Sequence, residues 1–298
     1  MSATDTSLQN FQADIDKWMS ENVPKKPEFL LPLTFLEVGT EQQLDFLREW
    51  QHKVWSAGFL GMHWPAEYGG QGADPAYQGI VDKALGAHKA PIIFNTIGLN
   101  WTGPLLLDVG TEEDRKRYIK NILTGEEIWC QGFSEPDHGS DLGNVQTRAV
   151  RDGDEFIVNG SKIWTTLGNY ADHMILLART NTNTERKYDG LSFFLSPMKI
   201  EGVEAHPIRK VTGEYGFNQP FFPDARIPAN CLMGEEGGGW TVAMKTLEYE
   251  RGVTAGQASG HWGVTIQIDD MIDELSQLEH DGEPLLSDPV VRDDLVSF

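Results

Sequence analysis

A chain of 298 residues, 40% hydrophobic and 23% charged, has the composition of a globular protein large enough to divide into two or three domains. Its formal net charge of −21 repels phosphate backbones, which argues against nucleic acid as a partner. No apolar run reaches the length that crosses a bilayer. The two cysteines, Cys130 and Cys231, are too far apart in sequence to suggest a disulfide framework or a metal site. That usage, with a start at Met1 that carries no targeting pattern, suits a reducing cytoplasm.

Residues 1–128 read as mostly helical. Over 42–55 apolar residues recur at Leu44, Leu47, Trp50, Val54 and Trp55, a helical period. The glycine-rich stretch 58–72 lacks the spacing of a phosphate-cradling loop and reads as a structural turn. Thr111 is placed to cap a helix, with Asp114 three residues on and acids in the first turn.

Over 129–233 the period becomes that of strands. Runs at 145–150, 155–158, 163–166, 174–178 and 191–195 are short and rich in β-formers. Asp152-Gly153 and Asn159-Gly160, between the first three, predict hairpin turns. These runs predict an antiparallel, barrel-like β domain ending near Pro228. The cluster Gly234 to Gly239 reads as a linker. Beyond it, Trp240, Met244, Leu247, Ala255, Ala258, Trp262 and Ile266 keep a helical period. A polar turn follows at 279–282, and Ser287-Asp288-Pro289 starts another helix. That helix stops at Phe298 after about two turns, and isolated helices so short are marginal in water. The expectation is therefore a cut inside a third, helical domain over 234–298. The fold class is α+β: a helical N-terminal domain, a β middle domain and the beginning of a helical bundle.

Two segments carry chemistry. The first is the loop Ser134-Glu-Pro-Asp-His-Gly-Ser-Asp141, followed by a hairpin that ends in Trp164-Thr165-Thr166. Small hydroxyls and backbone amides beside an indole suit a flat heteroaromatic ligand held by edge hydrogen bonds and face contact. The residues alone identify the ligand no further. The second segment is Leu247-Glu-Tyr-Glu-Arg251. Glu248 has Lys245 three residues before it and Arg251 three after, spacing for ordinary surface pairs. Glu250 has only Thr246, Leu247, Val253 and Thr254 as helix neighbours. Its carboxylate is expected to be desolvated and its pKa raised, as a base that removes a proton from carbon requires. A helix glutamate reaching water is the alternative.

Three spaced motifs, Ser134-Glu-Pro-x-x-Gly-Ser-Asp141, Gly153-Asp-x-x-x-x-Asn-Gly-x-Lys162 and Trp164-x-Thr166, resemble the signature of the acyl-coenzyme A dehydrogenase family. Trp64-Pro-x-Glu-Tyr-Gly-Gly70, Ile227-Pro228, Gly234-Glu-Glu-Gly237 and Glu250-Arg251 extend the likeness over nearly the whole chain after residue 40. The resemblance implies FAD bound between the middle and C-terminal domains. By position, Gln131, Phe133 and Ser134 line the flavin's pyrimidine side. Gly139, Ser140, Trp164 and Thr165 are further cofactor contacts, and the Thr166 hydroxyl lies near N5. Ser140, Glu248, Tyr249 and Arg251 fall on the substrate side. Glu250 stands where some branches of the family carry the base; others supply it from further along the C-terminal domain.

The activity implied is α,β-dehydrogenation of an acyl-coenzyme A thioester to the trans-2-enoyl thioester, with an electron-transfer flavoprotein as acceptor and a homo- or hetero-oligomeric enzyme. An oxygen-using oxidase and a non-catalytic subunit of a hetero-oligomer are the alternatives. The family's C-terminal helices complete the FAD site, so this chain alone is expected to bind FAD weakly or not at all. No metal is implied. His138 departs from the small residues usual there; it is either a loop histidine without a role or a group that narrows the acyl pocket.

Overall fold

Capped, amphipathic segments form the helical part of a computed structural model that describes residues 3–252 and 268–297 in two units, Met1–Trp262 and Gly263–Phe298. Helix α1 spans Ala3–Asn22. In α2 (Glu41–Ser56) the Thr40 side chain accepts the Gln43 amide, and Leu44, Leu47, Trp50 and Val54 are buried at the spacing the sequence predicts. Helix α3 (Ala76–Ala87) follows, then a π-helical segment, Ile97–Thr102, that runs into α4 (Gly103–Val109). Before α5 (Glu112–Thr124), Thr111 and Asp114 form a reciprocal capping box with three acids in the first turn, at the positive end of the helix dipole. The stretch 58–72 folds back on itself, Trp64 N–H bonding to Gly61 O and Gly72 N–H to Trp64 O. It is a structural turn.

The middle of the chain supplies β1 (Trp129–Gly132), β2 (Arg148–Asp152), β3 (Glu155–Ser161), β4 (Thr165–Thr166), β5 (His173–Arg179), β6 (Leu191–Pro197), β7 (Glu204–Ile208), β8 (Phe217–Pro228) and β9 (Leu232–Met233). They form one sheet of order β4-β8-β3-β2-β5-β6-β9, with β7 on β8 and β1 on β5. The sheet is open and mixed rather than wholly antiparallel. Strands β1 and β2 share one edge of β5, and both run parallel to it. The chain leaves the sheet after Gly132 and returns at Arg148, so the loop 133–147 emerges where that edge divides. Strands β5 and β6 are buried nearly throughout, because both faces of the sheet carry a core there. Trp129, Ile175, Leu177, Phe193 and Leu195 join the helical core. Cys130, Met174, Leu176, Phe194, Phe156 and Phe222 form the other.

Three expectations for this domain are corrected. The run at 163–166 is a strand only at Thr165–Thr166, because the Ile163 amide bonds to Ser134 and Trp164 stands at positive φ. The run at 145–150 enters the sheet only at Arg148. Residues 145–147 have β-forming side chains, but their backbone is bound elsewhere. The Gln146 and Thr147 amides donate to the Glu135 carboxylate, and the Val145 carbonyl accepts from Arg179 Nε. Asp152-Gly153 does make the β2–β3 turn, with Gly153 at φ 65°. Asn159-Gly160 does not turn. It forms a bulge inside β3, where the register against β8 shifts between Val158 and Gly160. A Cβ on Gly160 would lie 2.6 Å from Thr147 Oγ1, so close approach to the neighbouring backbone, at φ 146°, requires glycine there.

Helix α6 (Gly239–Glu250) packs on β6 and on the π-helical segment. Ala255, Ala258, Trp262 and Ile266 lie outside the described residues. In the second unit, α7 (Ile268–Leu275) precedes a short hairpin, β10 (Glu279–His280) and β11 (Glu283–Pro284), and then α8 (Pro289–Ser297). The expected turn at 279–282 is the tip of that hairpin, with Asp281 and Gly282 both at positive φ. Among the described residues, no helix is long and apolar enough to cross a membrane.

Candidate active site

The loop 133–147 and the β3–β4 connection are bound together by charge. Glu135 Oε1 lies 2.8 Å from Lys162 Nζ, with the glutamate 6% and the lysine 0% exposed. Lys162 Nζ also donates to the Phe133 carbonyl at 3.1 Å. The other Glu135 oxygen accepts the Gln146 amide at 2.6 Å, and Oε1 also takes the Thr147 amide at 2.9 Å. Burial alone would raise the Glu135 carboxyl. Lys162 and the Gln146 amide outweigh it and hold the acid below its ordinary value. Burial pushes the Lys162 ammonium down to about 8, against the raising pull of Glu135. Their mutual attraction favours the charged form of each.

This pair sets the neighbouring residues in place. The Ile163 amide donates to the Ser134 carbonyl at 2.9 Å, so the small-hydroxyl loop lies directly against the start of the Trp164-Thr165-Thr166 segment. Strand β4 is only two residues long, paired with Phe217 and Asn218 of β8. Trp164 and Leu167, at its two ends, both have φ 60°, a region that large side chains rarely occupy. Strain of that kind, one residue either side of β4, marks a segment held in place by its surroundings. The Trp164 indole is 57% exposed and meets Phe217 edge to face. Thr165 and Thr166 are buried. The Thr165 hydroxyl and Asn218 Oδ1, neighbours across the ladder, have no hydrogen-bond partner among the described residues. Phe133 is buried, while Gly139 and Ser140 lie exposed on the far side of a tight turn closed by two backbone bonds between Glu135 and His138. Lys187 pairs with Asp141, the residue after Ser140.

The second part of the site is the C-terminal end of α6. Gln131 Nε2 donates to Glu250 Oε2 at 3.3 Å across 119 residues of sequence. Glu250 is half-buried, and burial raises its carboxyl above the ordinary value against the lowering influence of Gln131 and Arg251. Of the uncharged helix neighbours expected for it, Thr246 and Leu247 lie on α6, which ends at Glu250 rather than continuing, and Val253 and Thr254 lie outside the described residues. Glu248 and Arg251 are exposed. Lys245 pairs with Asp108 of α4 rather than with Glu248. Tyr249 donates from its hydroxyl to the same Asp108 at 2.9 Å, and burial together with that carboxylate pushes the phenol upward.

The structure thus brings Gln131 against Glu250, and Ser134 against the Trp164 segment. Sequence reasoning quotes Glu135 and Lys162 within motifs but gives them no role, and it misses Asp108. Opposite charges inside two otherwise apolar or small-residue segments are the available signal. Two surface cavities, of about 390 and 510 Å³, lie elsewhere, one beside Gly168 and Met198 and one between α2 and Thr124, and neither is lined by these site residues.

Comparison with known proteins places the fold in a family. Residues 32–126 match the family model "Acyl-CoA dehydrogenase, N-terminal domain" and residues 130–222 match "Acyl-CoA dehydrogenase, middle domain". The chain is 37% identical over 262 residues to acyl-CoA dehydrogenase IpdE1 of Mycolicibacterium smegmatis, covering 84% of this chain and 66% of that protein. It is 32% identical over 212 residues to the human mitochondrial short-chain specific acyl-CoA dehydrogenase, covering 70% and 51%. Among solved structures, the Tcur3481-Tcur3483 steroid ACAD matches with a TM-score of 0.70 and 31% identity, over 98% of this chain and 71% of that one. The chain spans about two thirds of the IpdE1 length. With both domain models, these identities and this fold in agreement, the chain belongs to the acyl-CoA dehydrogenase family.

Proposed function

We propose that this chain forms the flavin-facing part of an enzyme that oxidises an acyl-coenzyme A thioester to the trans-2-enoyl thioester. The observation that carries the reading is Glu250: a half-buried helix-end carboxylate with a raised pKa, held by an amide from β1, two residues before the small-hydroxyl loop begins. A carboxylate in that state suits removal of a weakly acidic proton from carbon near neutral pH.

The residues present fit a flat cofactor. An exposed indole at strained backbone and a buried Thr165 hydroxyl without a partner among the described residues suit face and edge contacts to a ring system. Family membership supports FAD as that ring, and Gln131, Phe133, Ser134, Gly139, Ser140, Trp164, Thr165 and Thr166 are the residues proposed to hold it. When bound, FAD supplies the hydride acceptor. The protein's own part is alignment and proton transfer. Glu250 takes the proton from the substrate α carbon, and the electron pair of that bond forms the new double bond as hydride leaves the β carbon. The indole and the buried β4 threonines keep water from the reacting face. Ser140, Glu248, Tyr249 and Arg251 remain the proposed substrate-side contacts, with Tyr249 acting from its bond to Asp108.

An electron-transfer flavoprotein is the proposed acceptor. The pairing of two proteins in the name of the Tcur3481-Tcur3483 relative supports assembly with a second chain. A cytoplasmic location belongs to the same proposal. The test is anaerobic mixing of the flavin-loaded enzyme that carries this chain with straight-chain, branched and steroid acyl-coenzyme A thioesters. At least one should bleach the flavin absorption band. A band unchanged by every thioester would overturn the reading.

A further inference from the structure

Strand β1 presents alternate residues to two different cores. Cys130 and Gly132 face the β-domain core, and a Cβ on Gly132 would lie 2.2 Å from Met174 Sδ. Trp129 and Gln131 therefore face the helices. Trp129 is buried in the helical core, while Gln131 reaches the end of α6. The two ends of the Gln131–Glu250 contact are anchored independently. Register fixes β1, since Gln131 sits opposite Ile175 in its parallel pairing with β5. Asp108 fixes α6, accepting from the Tyr249 hydroxyl and pairing with Lys245.

We propose that Gln131 is the positioning residue for Glu250: its side-chain amide, carried on a strand held in register by β5, holds the carboxylate in one orientation and stabilises its ionised form. The inference rests on Glu250 as the base and gives Gln131 a role apart from lining the flavin. Few charges compete with the amide. Arg251, exposed on α6 itself, acts on Glu250 from the next residue. Asp108, brought by α4, is paired with Lys245. The π-helical segment Ile97–Thr102 and strand β6, Leu191–Pro197, pack on α6 without a titratable side chain. Cys130 on β1 points the other way. An amide N–H donates more strongly to a carboxylate than to its protonated acid, so removing it favours protonation.

The variant is Gln131→Met, which keeps length and loses the donor. Two readouts are needed: the carbon-13 titration of the Glu250 carboxyl, assigned by its loss in Glu250→Gln, and the acidic limb of the pH profile for flavin bleaching. Both midpoints should move up by about one pH unit, the size of a hydrogen bond to a charged group at a partly solvated site. A merely structural glutamine would lower activity without moving either midpoint, and an unmoved carboxyl titration overturns the proposal. A shifted titration in a protein that never bleaches supports the pairing and sinks the dehydrogenase reading instead. Should Gln131→Met fail to fold, Gln131→Asn draws the amide back by one methylene and predicts the same direction of shift.

Discussion

Exchanging Glu250 for glutamine is expected to slow flavin reduction by acyl-coenzyme A about 10²- to 10⁴-fold, the range a positioned general base contributes. The substitution keeps the shape and the partner, because Gln131 can donate to an amide oxygen as it does to Glu250 Oε2. Flavin affinity should therefore stay close to that of the parent protein while the chemical step fails. The sign of the pH effect follows from burial, which raises the Glu250 carboxyl. The base works only when ionised, so the parent's rate should fall as pH drops through that raised value. The glutamine variant should lack this limb. Rapid mixing at several pH values measures both, and a variant that bleaches at the parental rate would move the base to another residue.

The second large effect concerns the buried pair. Lys162→Met leaves the Glu135 carboxylate inside the protein with two backbone amides, no salt-bridge partner, and only the longer-range charge of the buried Arg179. Breaking one side of a buried ion pair costs about 3–5 kcal/mol, a large part of the 5–15 kcal/mol typical of a whole domain. Replacing both partners, as in Glu135→Leu with Lys162→Met, should recover much of the loss, because no charge is then stranded. The urea midpoint of each variant measures this, and a loss below about 1 kcal/mol for Lys162→Met would contradict the assignment. Acid should act in the same direction. The folded Glu135 carboxyl is held below its ordinary value, so its contribution is present above that value and is lost as pH falls through the depressed one. The functional consequence runs through the Ser134–Ile163 bond, which loosens when the pair that flanks it is broken.

What could be read along the chain was what neighbouring residues decide among themselves. The Thr111–Asp114 capping box, the α2 stripe and the Asp152-Gly153 turn each depend on contacts within a few residues, and each was legible. Asn159-Gly160 has the same local chemistry as Asp152-Gly153 and a different fate. Thr147, thirteen residues away, presses on Gly160, while β8 continues pairing past it on the other side, so the chain bulges instead of turning. Residues 145–147 have strand composition, yet Glu135 and Arg179 take their backbone groups. Such competition between side chain and ladder has no period. The site divides the same way. Glu250 could be singled out in part from the uncharged Thr246 and Leu247 before it on α6, whereas its contact with Gln131 and the pairing of Glu135 with Lys162 bridge long loops that composition does not close. The motif resemblance named or quoted the residues that make these contacts and left the contacts themselves unseen.

The most direct measurement of the central claim is a single turnover of the flavin-loaded enzyme with three versions of one bleaching thioester: unlabelled, deuterated at the α carbon and deuterated at the β carbon. If Glu250 removes the α proton as the β hydrogen leaves toward the flavin, each label should slow bleaching on its own. Equal rates for all three would contradict the account.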